Sequence, residues 1–233
     1  MRIVKAVFLY EFFRLLKSFR FYFLLFFSLF GSLVGIHMYS RMGSFDGAYV
    51  LKNVYFGFPI IIVALSIDVF SFEFESRHAQ LIFSKPISRL AFILGKIFAL
   101  IILFIFNLAS SSFLIIFYAY LVVHVSQDLL SFFLSFVDVL WASLIPLSVT
   151  MLINAFLLST LGTFILYLIL WYVLGFLSVF IIRPSNPLYY YLPNVSYQQI
   201  IWGKNSTTIL MPILYLFLTV LLSKYRMKWM DVH

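Results

Sequence analysis

The chain has 233 residues, of which 64% are hydrophobic and 10% are charged, and its formal net charge is +8. A soluble globular domain is nearer half apolar and a quarter charged, so this composition excludes an ordinary soluble domain and indicates an integral membrane protein. The chain has no cysteine, which excludes a disulfide framework and a thiolate metal site.

The first predicted element is an amphipathic helix within residues 1–20. In the sequence FLYEFFRLLKSFR, helical periodicity gathers most apolar side chains on one side and leaves Glu11, Arg14 and Lys17 on the other. We expect this helix to lie on the inner leaflet of the membrane and to lead into the first span.

The apolar runs of the sequence predict six transmembrane helices, since a span needs about 20 apolar residues. We expect them at Phe21–Tyr39, Val54–Phe72, Ile97–Val123, Leu129–Leu157, Gly162–Ile182 and Ser206–Leu222. The third and fourth are longer than a bilayer requires, so they should tilt or begin with interfacial turns, which for the fourth would be Leu129–Ser135. Residues 1–233 would then form a single all-α membrane domain.

Two connections between these spans have a distinct composition. Residues 73–91 are rich in charge, and Glu73 and Arg77 are spaced for an ion pair on a short helix. Pro86 should end that helix and begin the next, which predicts a compact helix–turn–helix; the alternative is a solvated loop that only sets topology. Residues 183–205 contain prolines and tyrosines and favour short half-helices or re-entrant turns.

The orientation of the spans follows from the Lys and Arg residues, because cytoplasmic loops carry the excess of positive charge. With six spans and both termini in the cytoplasm, twelve basic residues lie inside and only Arg41, Lys52, Arg183 and Lys204 lie outside. The twelve are Arg2, Lys5, Arg14, Lys17, Arg20, Arg77, Lys85, Arg89, Lys96, Lys224, Arg226 and Lys228. Their placement beside anionic headgroups accounts for the net charge without a nucleic-acid partner.

Several motifs, in order, resemble the permease subunits of type-two ABC exporters, the ABC-2 type transporter family. The elements are Glu73 and Glu75, Leu81-Ile82, Ser84-Lys85-Pro86-Ile87-Ser88-Arg89, Gly95-Lys96 entering the third span, the N-terminal Glu11-x-x-Arg14-x-x-Lys17 and the basic tail from Lys224 to Asp231. With the six-span plan, the resemblance extends over essentially the whole chain. His78-Ala79-Gln80 departs from the Gly-Thr-type pair common in the family.

The resemblance implies the permease subunit of an ATP-driven exporter, which forms the substrate pathway as a dimer with a second copy or a paralogue. It implies a separate ATP-binding-cassette ATPase that docks on a coupling helix within residues 73–91, which we call the coupling segment. The implied contact residues are Glu73, Glu75, Arg77, His78, Leu81, Ser84, Lys85, Pro86, Ser88 and Arg89. We expect the plasma membrane, specifically a prokaryotic inner membrane, as the location.

The same resemblance implies that this chain is not itself an enzyme. No G-x-x-x-x-G-K-[ST] motif occurs in the sequence, so ATP and Mg²⁺ would be bound by the partner and the chain itself would hold no cofactor. We predict no catalytic residues and no metal ligands. An intramembrane protease is disfavoured because neither G-x-S-x-G nor H-E-x-x-H is present.

The main alternative is a proton- or ion-coupled secondary transporter. Its candidate residues are Asp68, Asp138 and His37, since ionisable groups inside a membrane are functional by default. All three are expected near the ends of their spans, where an ionisable group can be solvated. Asn107 and Asn154 are interpreted as hydrogen-bonding groups between helices. The 30 Phe suit an amphipathic or hydrophobic substrate, but also suit contact with lipid.

Overall fold

The computed structural model describes residues 2–41, 45–57, 59–75, 88–124, 128–173, 190, 192–203 and 206–230. Within these ranges all regular secondary structure is helical. In chain order the helices are α1 (Arg2–Leu16), α2 (Phe19–Arg41), α3 (Gly47–Gly57), α4 (Ile60–Ser66), α5 (Ser71–Glu75), α6 (Arg89–Tyr118), α7 (Leu129–Leu157), α8 (Thr160–Leu168), α9 (Pro193–Ile201) and α10 (Met211–Met230). A π-helical turn extends α6 at Ala119–Val123 and α8 at Ile169–Val173, and a 3₁₀ turn at Ser206–Leu210 precedes α10.

Four stretches of helix in the described ranges are long and apolar enough to cross a bilayer. They are Phe19–Arg41, Arg89–Val122, Leu129–Leu157 and Thr208–Lys228, which coincide with the predicted spans one, three, four and six. Large apolar side chains such as Phe26 on α2 and Phe113 on α6 are exposed on their outer faces, which suits contact with lipid. These features are consistent with the predicted all-α, multi-pass membrane protein.

The fourth predicted span is one continuous helix from Leu129, and no break separates residues 129–135 from the rest of it. The reason is the cap: a carboxylate oxygen of Asp128 accepts a hydrogen bond from the Leu130 amide at 3.1 Å, which begins the helix at this point. Only two residues join α7 to α8, because Leu158 adopts a left-handed conformation and Ser159 caps α8. The fifth predicted span is helical over Thr160–Val173, as far as the structure describes it.

The second predicted span differs from the single helix expected over Val54–Phe72. It begins earlier, at α3, and is divided among α3, α4 and α5. Pro59 stands at the first break, where its missing amide hydrogen interrupts helical bonding. The second break is a non-helical stretch at residues 67–70, which we call the span-two turn. Three of its four residues are apolar, and the single carboxylate, Asp68, does not by itself mark a break in a helix.

The core of the protein is formed around α6 and α7. Helix α6 contacts α1, α2, α3 and α4, and α7 contacts α3, α4, α8, α9 and α10. At the centre the Tyr55 hydroxyl donates to Asn107 Oδ1 at 2.9 Å, and the Tyr197 hydroxyl donates to the Tyr55 carbonyl at 2.5 Å. The interpretation of Asn107 as an interhelical hydrogen-bonding group is thereby confirmed.

Helix α1 packs tightly against the first turns of α6 because residue 95 is glycine. A Cβ atom at Gly95 would lie 2.8 Å from Val7 Cβ and 3.1 Å from the Phe8 amide nitrogen. Contacts this short cannot be accommodated by rotating a side chain, because one of the neighbours is backbone. The glycine therefore allows α1 to reach the depth at which its polar residues meet those of α6.

Candidate functional site

A largely buried group of charged side chains lies where α1, α2, α5, α6 and the span-two turn meet. We call it the six-charge cluster; its members are Glu11, Arg14, Arg20, Asp68, Glu73 and Lys96. Three are acidic and three are basic, so the cluster is formally neutral. One member, Glu73, is the first residue of the predicted coupling segment. Another, Lys96, lies on α6 shortly after the last residue of that segment.

Lys96 is at the centre of the cluster and its side chain is 1% exposed. Its ammonium group donates to Glu73 Oε1 at 2.5 Å, to the Val69 carbonyl at 2.5 Å and to Glu11 Oε2 at 3.2 Å. These are the three donors that a lysine has, so each of its protons is used. One side chain of α6 therefore holds α1, α5 and the span-two turn together.

Arg14 extends the cluster from Glu11 to Asp68. Its guanidinium makes a two-pronged contact with the Glu11 carboxylate, at 2.5 and 3.1 Å, and lies 3.5 Å from Asp68 Oδ2. It also lies over the ring of Phe72, 4.3 Å from the centroid. Arg20, at the start of α2, approaches the same Asp68 oxygen at 2.7 Å.

The two carboxylates that share Lys96 have pKa values shifted in opposite directions. Burial alone would raise the pKa of Glu11, but the attraction of Lys96 and Arg14 outweighs it and lowers that pKa below 4.5. Burial raises the pKa of Glu73 above 4.5, because Lys96 offsets it only in part and the negative charge of Glu11 adds to it. Glu11 is thus the well-compensated acid of the pair.

The span-two turn is held from its other side by Asn154 of α7. Asn154 Oδ1 accepts from the amides of Phe70 and Ser71 at 2.7 and 3.0 Å, and Nδ2 donates to the Ile67 carbonyl at 2.7 Å. Buried backbone outside a helix needs other hydrogen-bond partners, and Asn154 and Lys96 supply them here. Asn154 also donates to Thr163 of α8 at 3.0 Å, so its predicted interhelical role is confirmed.

Two charged residues on the polar side of α1, Glu11 and Arg14, face the protein, whereas the amphipathic pattern predicts that they face the headgroups. Glu11 is fully buried and Arg14 is largely buried against the protein, whereas Leu9 and Phe13 are exposed. Lys17 is exposed and follows the last residue of α1. Glu11 and Arg14 turn inward because Lys96 and Asp68 pair with them there.

The predicted ATPase contacts are only partly within the described ranges. Glu73 is 1% exposed and faces Lys96, so its contacts are inside the protein. Glu75 is the last residue of α5, and Ser88 caps α6, its hydroxyl accepting from the Ala91 amide at 3.2 Å. Arg89, which begins α6, is half-exposed. The remaining residues, Arg77, His78, Leu81, Ser84, Lys85 and Pro86, lie outside the described ranges.

A second, separate ion pair joins α3 and α7. Lys52 Nζ lies 2.8 Å from Asp138 Oδ2, and the side chains are 17% and 38% exposed. The two carboxylates proposed for the alternative transporter, Asp68 and Asp138, are therefore both paired with basic residues. Within the described part of the chain no group of His, Asp or Glu is arranged to hold a metal ion.

Sequence reasoning missed the role of Lys96 and Asp68 in one cluster. Lys96 was noted as a topology determinant and as part of a Gly-Lys element, and Asp68 as a lone carboxylate. The nearest signal in the sequence is Gly95 before Lys96, because a glycine permits the close approach of another helix, but it does not identify the partners of Lys96. Comparison with protein-family models and with curated proteins finds no match to this chain.

Proposed function

We propose that the chain is the membrane-spanning permease subunit of an ATP-driven ABC exporter. It would work as a dimer with a second copy or a paralogue and would be powered by a separate ATP-binding-cassette subunit. Six spans with both termini in the cytoplasm, and an ATPase contact at the coupling segment, belong to this proposal. The order of motifs from Glu11 to Asp231 is its sequence support.

The observation that carries the proposal is the anchoring of the coupling segment. Glu73, at its start, is bonded to Lys96, which lies about two turns into α6 after Arg89, near the end of the segment. The first residue of the segment and the helix into which the segment leads are thus tied to one cluster. A displacement of the segment by a motor would act on α1, α5 and α6 together, which is what a permease driven from one cytoplasmic contact requires.

The distribution of charge in the fold agrees with the proposed topology. Arg14, Arg20 and Lys96, all expected inside, share the six-charge cluster. Lys52, expected outside, pairs with Asp138 instead. The two groups thus occupy different places in the molecule, as expected if the cluster lies at the cytoplasmic end of the helices and the pair toward the opposite end.

The secondary-transporter alternative is less well supported. A carboxylate that carries a proton or an ion through each cycle has to exchange its partners, whereas Asp68 has two arginines as neighbours and Asp138 has Lys52. Partners held in this way indicate a structural role for both carboxylates. We therefore retain the exporter as the single proposed function.

Reconstitution with a motor subunit tests the proposal. The chain, expressed with an ATP-binding-cassette ATPase encoded beside it, should co-purify with that ATPase and have no ATP hydrolysis of its own. Pro86→Gly and Glu75→Lys should retain expression and lose motor association, and Arg41→Glu, a charge reversal at an exposed residue away from the segment, should retain both. ATP hydrolysis by the isolated chain, or full association of both segment variants, would contradict the proposal.

A further inference from the structure

A groove on the outer surface lies between α1 and α6, separate from the six-charge cluster. Its volume is about 550 Å³, within the range of sites that hold small ligands. The groove is lined by Val4, Lys5 and Phe8 of α1 and by Leu94, Phe98 and Ile102 of α6. Val4 and Phe8 are four residues apart on α1, and Leu94, Phe98 and Ile102 have the same spacing on α6. The groove is therefore a narrow channel between one helical ridge of α1 and one of α6.

The walls of this groove are apolar and open toward the surroundings of the helices. Phe98 and Ile102 are 50% and 43% exposed, and Ile3 and Leu9 of α1, on either side, are exposed as well. In a chain that lies in a bilayer, such a channel is filled by hydrocarbon. A narrow channel between two ridges accepts one extended chain more readily than the broad face of another helix.

One cation lies at this apolar channel. Lys5 is exposed and, among the described residues, forms no ion pair, whereas Arg14 and Lys96 on the neighbouring face are fully paired. A lysine can lay its aliphatic stem along an apolar wall and hold its ammonium at the level of the headgroups. A phosphate attached to an acyl chain would satisfy both parts of the groove.

We propose that this groove binds an anionic phospholipid, with an acyl chain between Phe8 and Phe98 and the headgroup phosphate on Lys5. The bound lipid would fill the outer side of the α1–α6 contact, next to Gly95, where α1 is pressed against α6. The inference goes beyond transport and requires only that the chain lies in a membrane. Charge complementarity selects an anionic over a zwitterionic lipid.

The test is photolabelling of the full chain in phosphatidylcholine nanodiscs that contain a trace of diazirine-acyl phosphatidylglycerol or of diazirine-acyl phosphatidylcholine. We expect labelled peptides from α1 and from the Leu94–Ile102 part of α6 with the anionic probe, and about five-fold less with Lys5→Gln, the effect of one basic residue near a membrane surface. Lys17→Gln, an exposed lysine of the same N-terminal region, is the matched control and should label like the parent.

A second variant separates the groove from general surface charge. Leu94→Trp fills the channel and should reduce labelling, whereas Phe117→Trp, an exposed apolar position farther along α6, should not. Equal labelling by the two probes, or equal loss with Lys5→Gln and Lys17→Gln, would overturn the proposal. So would competition by inorganic phosphate, which indicates a free-anion site, or an intermolecular crosslink from Cys placed at Leu94, which indicates a second copy in the groove. None of these outcomes depends on a motor subunit.

Discussion

Two regions of the molecule hold charged side chains together, and they differ in burial and in the number of partners. In the six-charge cluster, Lys96 and Glu11 are almost wholly inaccessible and each has two or more partners. In the Lys52–Asp138 pair, one partner is 38% exposed and a single ion pair joins two helices. The same two functional groups, an ammonium and a carboxylate, are therefore placed in very different dielectric surroundings.

This difference indicates which charges the fold depends on. Removing one partner of a buried ion pair leaves an uncompensated charge in a medium that solvates it poorly, and this costs far more than the pair gains by forming. An exposed pair loses little, because water replaces the missing partner. The cluster should behave as one structural unit that joins five elements, and the Lys52–Asp138 pair as an independent and weak contact.

The largest effect is expected from Lys96→Met, which removes the cation shared by Glu11 and Glu73. Two carboxylates and the Val69 carbonyl then lose their donor, and the free energy of unfolding should fall by about 3–5 kcal/mol. The loss is detected as a lower unfolding temperature of the detergent-solubilised protein, monitored by size-exclusion chromatography. Lys228→Met, the same substitution at an exposed site, is the control.

A second substitution sharpens this test. Adding Glu73→Gln to Lys96→Met restores a formally neutral cluster and should recover part of the lost stability. If Lys96→Met unfolds at the temperature of the parent, the cluster is not the structural unit described above.

The next effect concerns the two acids within the cluster, which have opposite pKa shifts. Glu11→Gln and Glu73→Gln each leave the same formal charge, yet at neutral pH Glu11→Gln should be the more destabilising. The folded pKa of Glu11 is below 4.5, so its contribution to stability is present above pH 4.5 and is lost as the pH falls through 4.5 and below. The folded pKa of Glu73 is above 4.5, so its ionisation weakens the fold as the pH rises above 4.5.

The measurement is the unfolding temperature of both variants and the parent between neutral and mildly acidic pH. The gap between the variants should narrow as the pH falls toward 4.5. Equal destabilisation at every pH would mean that the two carboxylates are equivalent, contrary to the contacts of Arg14 with Glu11.

A smaller effect is expected from the packing that brings α1 to the cluster. Gly95→Ala places a methyl group 2.8 Å from Val7 Cβ, and overpacking of this kind costs about 1–3 kcal/mol. Gly162→Ala is the matched control, because the nearest atom to its new Cβ is at an ordinary 3.4 Å. The unfolding temperatures of the two variants are compared, and that of Gly95→Ala should be the lower. Equal values would show that α1 can shift away from α6 at little cost.

The parts of this structure that the sequence predicts are those fixed by local patterns. The spans at α2, α6, α7 and α10 follow from apolar runs of sufficient length, and the start of α7 could have been read from Asp128 as a cap. The break in span two could not, because the turn is held by Asn154, which is 84 residues away from Phe70. Only the packing of α7 against α5 reveals why a helix stops there.

The candidate site divides in the same way. Periodicity separates Glu11 and Arg14 from the apolar side of α1, but a charged side of a helix can face water, headgroups or protein. Its direction depends on Lys96 and Asp68, which lie 85 and 54 residues from their partners on α1. Long-range pairing of charges has no local signature, so the sequence indicates the members and leaves their assembly to the fold.

The smallest effect is expected at the Lys52–Asp138 pair and completes the comparison. Lys52→Gln should lower the free energy of unfolding by about 0–1 kcal/mol, because water can solvate the remaining carboxylate. Added salt should abolish even this difference, since exposed pairs are screened within a Debye length of about 10 Å at 0.1 M.

A double-mutant cycle of Lys52→Gln with Asp138→Asn, at low and high salt, measures the coupling energy of this pair. The coupling energy from the cycle of Lys96→Met with Glu73→Gln should be larger and insensitive to salt. A Lys52–Asp138 coupling as large as that of the cluster would remove the distinction between the two regions. If Asp138→Asn instead abolishes transport while leaving stability unchanged, the carboxylate acts in the transport cycle, and the secondary-transporter alternative gains over the exporter.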